Sequence, residues 1–143
     1  MTRLRAAIAV ALVALMFSAC SPALPDRPDQ EQKDAWKSAA WHAIPRALRV
    51  GVKGPGNDGN VWFVSMSVDL RDKDLTPADV DAVVEAIQGA TEPGNEDLEV
   101  RVSFFSRDPT NASQLGVMHL DKVLGDDPRL GGSGTLLIVE AGS

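Results

Sequence analysis

The sequence predicts an α+β fold: a small two-layer sandwich in which helices cover one face of a four- or five-stranded mixed or antiparallel sheet. Three observations lead to this prediction. Two segments repeat apolar residues at the three- and four-residue spacing of a helix, and others alternate apolar and polar residues at the period of a strand. The two kinds of segment are interspersed along the chain. The 143 residues, 44% of them hydrophobic, suffice for one domain with its own core.

The first predicted helix runs from Gln30 to Ile44. Asp29 precedes it as an N-cap, and Gln32 stands three residues after the cap, where a glutamine can complete a capping box. Pro45 ends the helix, because the residue before a proline is driven out of the helical region. The apolar positions that recur every three or four residues are Ala35, Trp36, Ala39, Ala40 and Ala43.

Two strands that pair as a hairpin follow this helix. The first is indicated by the alternation of Leu48, Val50 and Val52 with less apolar residues. Residues 54–59, Gly-Pro-Gly-Asn-Asp-Gly, predict a turn before the second strand at Val61–Leu70. One face of this second strand is apolar, and the opposite face carries Phe63, Ser65, Ser67 and Asp69.

The second helix has the most consistent set of signals in the chain. Thr76 is its predicted N-cap, Pro77 occupies the first helical position, and Asp79 completes a capping box. Gly89 is placed to end the helix. The predicted buried stripe consists of Val80, Val83, Val84 and Ile87.

The remaining third of the chain adds further strands. Leu98–Phe104 alternates at strand period, and a parallel pairing with the strand before the second helix would require a right-handed crossover. The sequence of Leu115–Leu120 is compatible with a helix or a strand, and its alternation favours a short strand. Asp121–Leu124 adds a helical turn, and Thr135–Glu140 is the last predicted strand.

The charge balance of the chain is acidic, with 14 Lys and Arg against 20 Asp and Glu and a formal net charge of −6. No run of Lys or Arg interrupts this balance, so the sequence predicts no nucleic-acid binding, which depends on clustered positive charge. The single cysteine excludes an internal disulfide framework and a thiolate metal cluster, because each needs at least two cysteines.

The first 20 residues have the layout of an export signal. Arg3 and Arg5 form a short basic stretch, and the 12 residues from Ala6 to Phe17 are an uncharged apolar run. Such a run reaches about 18 Å as a helix, which is short of the roughly 30 Å of a bilayer's hydrocarbon core. The sequence therefore predicts a cleaved signal peptide rather than a spanning helix.

The end of this segment resembles the lipobox of bacterial lipoprotein signal peptides, in the residues Phe17-Ser18-Ala19-Cys20. The family prefers Leu or another aliphatic residue where this chain has Phe17. The resemblance implies that Cys20 becomes the first mature residue and receives a diacylglycerol on its sulfur. Two or three acyl chains, at roughly 0.8 kcal/mol per buried methylene, hold a domain at a membrane surface. The alternative is that Cys20 lies by chance beside an ordinary cleavage site.

These features divide the chain into three parts. Residues 1–19 are the predicted signal peptide, 20–29 are the lipidated Cys20 with a proline-rich tether, and 30–143 are one globular domain. Cleavage removes Arg3 and Arg5, which leaves 12 basic against 20 acidic side chains and a formal net charge of −8. An anionic membrane repels such a domain, so the predicted membrane contact is the lipid on Cys20.

The motifs of known chemistries give no candidate catalytic, cofactor-binding or metal-binding residue. His42 and His119 are the two histidines, and neither belongs to a metal-binding spacing. No serine lies in the Gly-x-Ser-x-Gly elbow of serine hydrolases, and the glycine-rich segments lack nucleotide-binding patterns. We therefore predict no cofactor.

Two tryptophans of the first helix are the candidate contacts for a partner. Trp36 and Trp41 are five residues apart, and five steps turn a side chain by about 140° around the helix axis. The two indoles therefore do not both face the core, and one of them is expected at the surface.

The sequence thus favours a lipid-anchored cell-envelope domain with a non-enzymatic binding or scaffolding role. Its partners are then the membrane, through the lipid on Cys20, and an envelope protein or a cell-wall component. The alternative is a lipoprotein that binds a small ligand or a cell-wall fragment, and an envelope enzyme is the third possibility. The predicted location is the outer surface of the bacterial cytoplasmic membrane or the outer membrane, and the sequence leaves open which of the two.

Overall fold

The computed structural model of the protein describes residues 28–107 and 115–143. The predicted signal peptide and Cys20 lie outside the described residues. Within the described residues, the chain forms three helices and five strands in the order α1 (Gln30–Ala43), β1 (Ala47–Asp58), β2 (Val61–Leu70), α2 (Pro77–Gly89), β3 (Glu99–Arg107), β4 (Leu115–Val117), α3 (Asp121–Leu124) and β5 (Leu136–Glu140).

The five strands form one mixed sheet, which confirms the predicted α+β class. β1 pairs with β2 in antiparallel orientation, and β2 pairs with β3 in parallel orientation. The other edge of β3 is shared, because β4 pairs with its C-terminal end and β5 with its N-terminal half, both antiparallel. The sheet is therefore four strands wide, with two short strands in the fourth position.

Helices α1 and α2 pack on one face of this sheet and on each other. The buried residues of β2 and β3 alternate along each strand, and alternate side chains of a strand point to the same face. The two strands and the two helices therefore enclose a single apolar cluster. It includes Trp36, Ala40, Val50, Val64, Met66, Val68, Leu70, Val80, Val83, Val84, Ile87, Val100, Val102, Phe104, Leu120, Leu137 and Val139.

The start of α1 depends on two residues that the sequence assigns to the tether. The Asp29 side chain caps the helix by accepting a hydrogen bond from the Gln32 backbone N–H at 2.8 Å. Pro28 is buried. Residues 28 and 29 therefore fold with the domain. The helix ends at Ala43, with Ile44 as its C-cap, one residue before the predicted end.

A buried polar cluster fastens α1 to the loop that follows α2. The Gln32 Nε2 donates to the Ala90 carbonyl oxygen at 2.9 Å, and its Oε1 accepts from the Glu92 backbone N–H at 2.6 Å. The Trp36 Nε1 donates to the Thr91 Oγ1 at 2.9 Å. Both side chains are fully buried, so these bonds satisfy polar groups that would otherwise be costly and fix the position of α1.

The hairpin of β1 and β2 is longer than the sequence predicts. The predicted turn at 54–59 is wrong in extent, because β1 continues to Asp58 and only Gly59 and Asn60 separate the two strands. The glycines and the proline instead form an irregularity in the pairing between Lys53 and Gly56. A strand at the edge of a sheet tolerates such residues, since one of its sides makes no ladder hydrogen bonds.

Helix α2 begins and ends where the sequence predicts, and its capping box is complete. The Asp79 carboxylate accepts hydrogen bonds from the Thr76 backbone N–H at 2.9 Å and from the Thr76 hydroxyl at 2.8 Å. It also accepts two bonds from the Arg46 guanidinium, at 2.7 and 2.9 Å. The guanidinium and the Thr76 donors hold the pKa of Asp79 well below its usual range.

The C-terminal part of the chain shows what structure the segment after residue 114 adopts, and it covers one edge of the sheet. Residues 115–117 form the short strand that the alternation favours, and the predicted helical turn is α3. The edge of β5 is covered by the preceding loop, because the Gly131 N–H donates to the Leu136 carbonyl and the Ile138 N–H to the Arg129 carbonyl, both at 2.7 Å. Arg129 also donates to Asp81 of α2 at 3.0 Å, which ties this loop to the helix.

The hydrogen bonds of Asp79 predict that this residue stabilises the domain more than Thr76 does. We expect Thr76→Ala to lower the free energy of unfolding by about 1 kcal/mol through the lost cap. Asp79→Asn should lower it by about 2 kcal/mol, because Arg46 loses a charged acceptor as well. Urea denaturation at neutral pH measures both values, and equal losses for the two variants would contradict this ranking.

The same carboxylate should make the stability depend on pH. The folded pKa of Asp79 is below its ordinary value of 3.8, so its contribution is present above that value and is lost as the pH falls through the folded pKa. The difference in stability between the wild type and Asp79→Asn should therefore shrink below about pH 4. A difference that stayed constant on acidification would contradict this origin.

Candidate functional site

The face of the sheet opposite α1 and α2, the open face, carries the second set of alternating side chains. Its centre consists of small residues, so it forms a shallow surface between two half-buried aromatic rings, Phe63 and Phe105. The small residues of this centre are Gly51, Ser65, Ser67 and Ser103.

The end of the open face beside the β1–β2 turn is occupied by its own side chains. The Phe63 ring lies against Gly56, where an added Cβ would come within 2.7 Å of the ring. The Arg101 guanidinium lies 3.9 Å from the ring centroid and donates to Glu99 at 2.9 Å and to Asp58 at 3.3 Å. The hydrogen bond to Glu99 raises the pKa of Arg101. At this end of the open face, the Arg101 guanidinium therefore has both carboxylate partners and the Phe63 ring in contact with it.

The other end of the open face leads into a groove along the outer edge of β1, the β1 groove, with a volume of about 530 Å³. Helix α1 forms one wall, β1 forms the middle, and the ends of β2 and β3 form the far side. The residues that line it include Lys33, Lys37 and Trp41 from α1, residues 48–53 of β1, and Ser67, Asp69, Phe105 and Leu115.

The helix wall of the β1 groove follows from the spacing of three side chains. Lys33, Lys37 and Trp41 are four residues apart, so they lie on one face of α1. Trp41 is 41% exposed, whereas Trp36 is fully buried. Of the two tryptophans that the sequence offers as partner contacts, Trp41 alone presents its ring to the surface, since Trp36 belongs to the core.

The middle of the β1 groove is an uncovered strand edge. Among residues 28–107 and 115–143, β1 pairs with β2 alone, so the backbone groups on its outer side form no ladder. This contrasts with β5, whose outer edge the 129–131 loop covers. An uncovered edge presents N–H and C=O groups to which another extended chain can pair. Gly51 has no side chain, and the Ser67 Oγ lies 2.8 Å from where its Cβ would be, so the surface between Arg49 and Lys53 is a shallow notch whose floor is the Ser67 hydroxyl.

A buried carboxylate lies at the far side of the groove. Asp69 is 3% exposed, lines the groove, and makes no hydrogen bond or ion pair with any residue that the structure describes. Arg49 is its neighbour across the β1–β2 ladder, yet the two form no ion pair in the described part of the chain. An unpaired buried carboxylate costs free energy, so the fold alone gives no reason for an aspartate here.

The rim of the groove carries four cations and one exposed carboxylate, Asp34, so its net charge is positive although the chain as a whole is acidic. Lys37, Arg49 and Lys53 are exposed and form no ion pair with the described residues, and Lys33 donates only to the Gly54 carbonyl at 3.4 Å. The net charge of the whole chain is −6. A concave site whose charge is opposite to that of the surrounding protein attracts anionic partners.

Apart from Trp41, the sequence did not single out the residues of this site. The cations come from α1 and β1, so they lie close together only because the helix packs on the strand. They do not form a run of charge in the sequence. Asp69 was expected on the polar face of its strand. Its burial depends on the register that sets it beside Arg49 and Phe105, which an alternating pattern does not reveal.

The histidines lie in separate local environments. The His42 ring contacts the Ser38 carbonyl within α1 at 2.7 Å, and the His119 ring lies 3.8 Å from the Asp121 carboxylate. Among the described residues, no group of three or more His, Cys, Asp or Glu side chains is arranged to hold a metal ion. None of the described helices has the length and apolar character needed to cross a bilayer.

Comparison of the chain with protein-family models, with curated proteins and with solved structures gave no match. A functional interpretation of the domain therefore depends on the β1 groove. The predicted lipidation site, Cys20, lies outside the described residues.

The position of Asp69 predicts that this residue does not stabilise the fold. We expect Asp69→Asn to leave the free energy of unfolding unchanged or to raise it by about 1 kcal/mol, because a neutral amide is cheaper to bury than an unpaired carboxylate. Asp79→Asn, which removes a paired carboxylate, is the matched control and should be destabilising. A loss of stability in Asp69→Asn equal to that of the control would show that Asp69 supports the fold.

Proposed function

We propose that the protein is an exported, lipid-anchored envelope protein whose domain binds an extended segment of a partner polypeptide in the β1 groove, without catalysis. The lipobox resemblance of residues 17–20 supports the anchor on Cys20. The observation that carries the binding role is that, in the described part of the chain, the outer edge of β1 has no strand partner and is flanked by cations without ion pairs.

The mode of binding that suits this site is strand addition. A segment lying along β1 pairs with its outer backbone groups, and alternate side chains of the segment fall on the two sides of the sheet. Residues 48–53 line the groove, which is a length of about 20 Å at roughly 3.3 Å per residue. The segment extends the sheet by one strand, and its side chains contact the walls of the groove.

The charge of the groove specifies the kind of segment. Lys37, Arg49 and Lys53 complement acidic side chains, and complementary charge favours encounter and fixes the register of a partner. A second copy of this chain suits the groove poorly, because two paired β1 edges bring Arg49 and Lys53 against cations of the same kind. Like charges directly opposite one another destabilise a sheet. The proposed occupant is therefore an acidic segment of another polypeptide.

Trp41 supplies an apolar contact at one side of the same groove. A partly exposed indole offers a large contact area with few rotatable bonds, and tryptophan is enriched among the residues that dominate binding energy. Its place beside Lys37 lets one bound segment use both an apolar and a charged contact on α1.

The volume of the groove favours a second candidate function, the binding of a small ligand or a cell-wall fragment. Its 530 Å³ falls within the range of about 300 to 1,000 Å³ that small-molecule sites occupy. A ligand with several carboxylates would use the same cations. The two candidates differ in whether the bound molecule must pair with the backbone of β1.

The anchor is tested by membrane fractionation of cells that express the wild type or Cys20→Ser. We expect the wild type in the membrane fraction, with an intact mass that includes the acyl groups, and the variant unprocessed or released, because the lipid is the proposed membrane contact. Ala19→Ser, which keeps a small residue before the cysteine, is the control and should remain lipidated. An unmodified Cys20 in the mature wild-type protein would contradict the lipoprotein assignment.

The groove is tested with ten-residue synthetic peptides in which Glu alternates with Thr, and with counterparts in which Lys replaces Glu. We expect the full chain to prefer the acidic peptides, with an affinity that falls as salt is added. Arg49→Glu combined with Lys53→Glu should weaken binding by on the order of 100-fold, and Trp41→Ala by about tenfold. Fluorescence anisotropy of labelled peptides measures these affinities.

Lys122→Glu is the matched control for charge, because Lys122 is exposed on α3 and does not line the β1 groove. It should leave peptide affinity within about twofold of the wild type, since a distant exposed charge is screened. Equal affinity for acidic and basic peptides would overturn the proposed mode. Binding of soluble dicarboxylates or cell-wall peptides, without binding of the extended peptides, would favour the small-ligand function.

A further inference from the structure

We propose that Asp69 receives the cationic end of a single lysine or arginine side chain carried by the segment bound along β1. The inference rests on the proposed function, because the bound segment brings the side chain to the groove. It specifies the pattern that the site selects: an acidic residue, then a basic residue two positions later, then an acidic residue two positions after that.

The pattern follows from three alternate positions of β1. Arg49, Gly51 and Lys53 lie on the open face of the sheet, two residues apart, so residues of an added strand that face them are also two apart. Acidic side chains of the segment therefore meet Arg49 and Lys53. The side chain between them faces Gly51, where β1 has no side chain at all.

The notch at Gly51 gives a long side chain a path to Asp69. Gly51 pairs with Ser67 of β2, and Asp69 is the next residue of β2 on the same face. A residue added beside Gly51 lies two strand spacings across from β2 and two residues along from Asp69, so the two Cα atoms are about 12 Å apart and a short side chain does not reach the carboxylate. A lysine or arginine side chain lying over the notch spans this distance together with the length of the aspartate itself.

The surroundings of Asp69 suit a cation. The residue is 3% exposed, its carboxylate has no partner among the described residues, and it shares the groove with the apolar side chains of Phe105 and Leu115. An ionised group with little access to water gains more from a charged partner than an exposed one does, and charge-assisted hydrogen bonds are stronger than neutral ones. Arg49, the nearest cation across the ladder, is exposed and unpaired with it, so the position is open to a ligand.

The experiment compares two peptides that differ in one charge. Both are ten-residue Glu/Thr peptides of the kind that tests the groove; one has the core Glu-Thr-Lys-Thr-Glu, and in the other norleucine replaces the lysine and keeps its length without the ammonium group. We expect the full chain to bind the lysine peptide at least about tenfold more tightly, equivalent to about 1.4 kcal/mol. In Asp69→Asn this ratio should fall to about one, while the norleucine peptide binds as before.

Two further variants separate Asp69 from the rest of the groove. Gly51→Thr combined with Ser67→Ala, which removes the hydroxyl that an added Cβ would contact, fills the notch with a residue that suits a strand, so it should also abolish the preference for lysine although Asp69 is intact. Arg49→Gln combined with Lys53→Gln, which removes both cations without adding carboxylates beside the lysine, should weaken both peptides and keep their ratio. These variants keep the inference testable even if Asp69→Asn folds poorly.

The outcomes distinguish this inference from the function on which it rests. Equal binding of the lysine and norleucine peptides by the wild type would overturn the role of Asp69 and leave strand addition standing. A preference for lysine that survives in Asp69→Asn would also overturn it, because the ammonium group would then bind elsewhere. Failure of the wild type to bind any of the acidic peptides would overturn the proposed function itself.

Discussion

The parallel pairing of β2 with β3 is the constraint on which the rest of the structure depends. Parallel neighbours need a crossover connection, and α2 provides it by packing on one face of the sheet. Helix α1 packs beside α2 on that face, and the buried bonds of Gln32 and Trp36 fix it there. The centre of the opposite face carries small residues, and β1 has no partner on its outer side among the described residues. The β1 groove is a consequence of this one-sided arrangement.

The cations of the β1 groove also affect whether the edge of β1 can pair with another copy of the same chain. An exposed strand edge invites pairing with other copies of the same chain, and charged side chains on the edge are a common means of preventing it. Arg49 and Lys53 oppose such pairing, because two β1 edges side by side would place like charges against one another. In the proposed function, the same two side chains favour an acidic segment as the occupant of the edge.

The parts of the structure that the sequence predicts are those specified by local chemistry. The start of α2 follows from Thr76, Pro77 and Asp79, and the extent of β2 follows from an alternation that no turn residue interrupts. The sequence did not predict that β1 continues through residues 54–58, because glycine and proline end most strands but are tolerated in a strand at the edge of a sheet. The burial of Asp69 and the clustering of cations on two elements depend on register and helix packing, which are properties of the assembled sheet. The lipid on Cys20 remains a prediction from the signal sequence.

The position of β5 has a consequence for the timing of folding. This strand is the last element in the sequence, yet it pairs with β3 at the centre of the sheet and contributes Leu137 and Val139 to the core. A chain that emerges N-terminus first therefore lacks the strand beside the N-terminal half of β3 until residues 136–140 have appeared, and contacts between distant residues slow the search for the native state. In the described part of the chain, the N-terminal half of β3 therefore keeps an edge without a partner until β5 arrives, and the apolar side chains of Leu137 and Val139 complete the core only at that point.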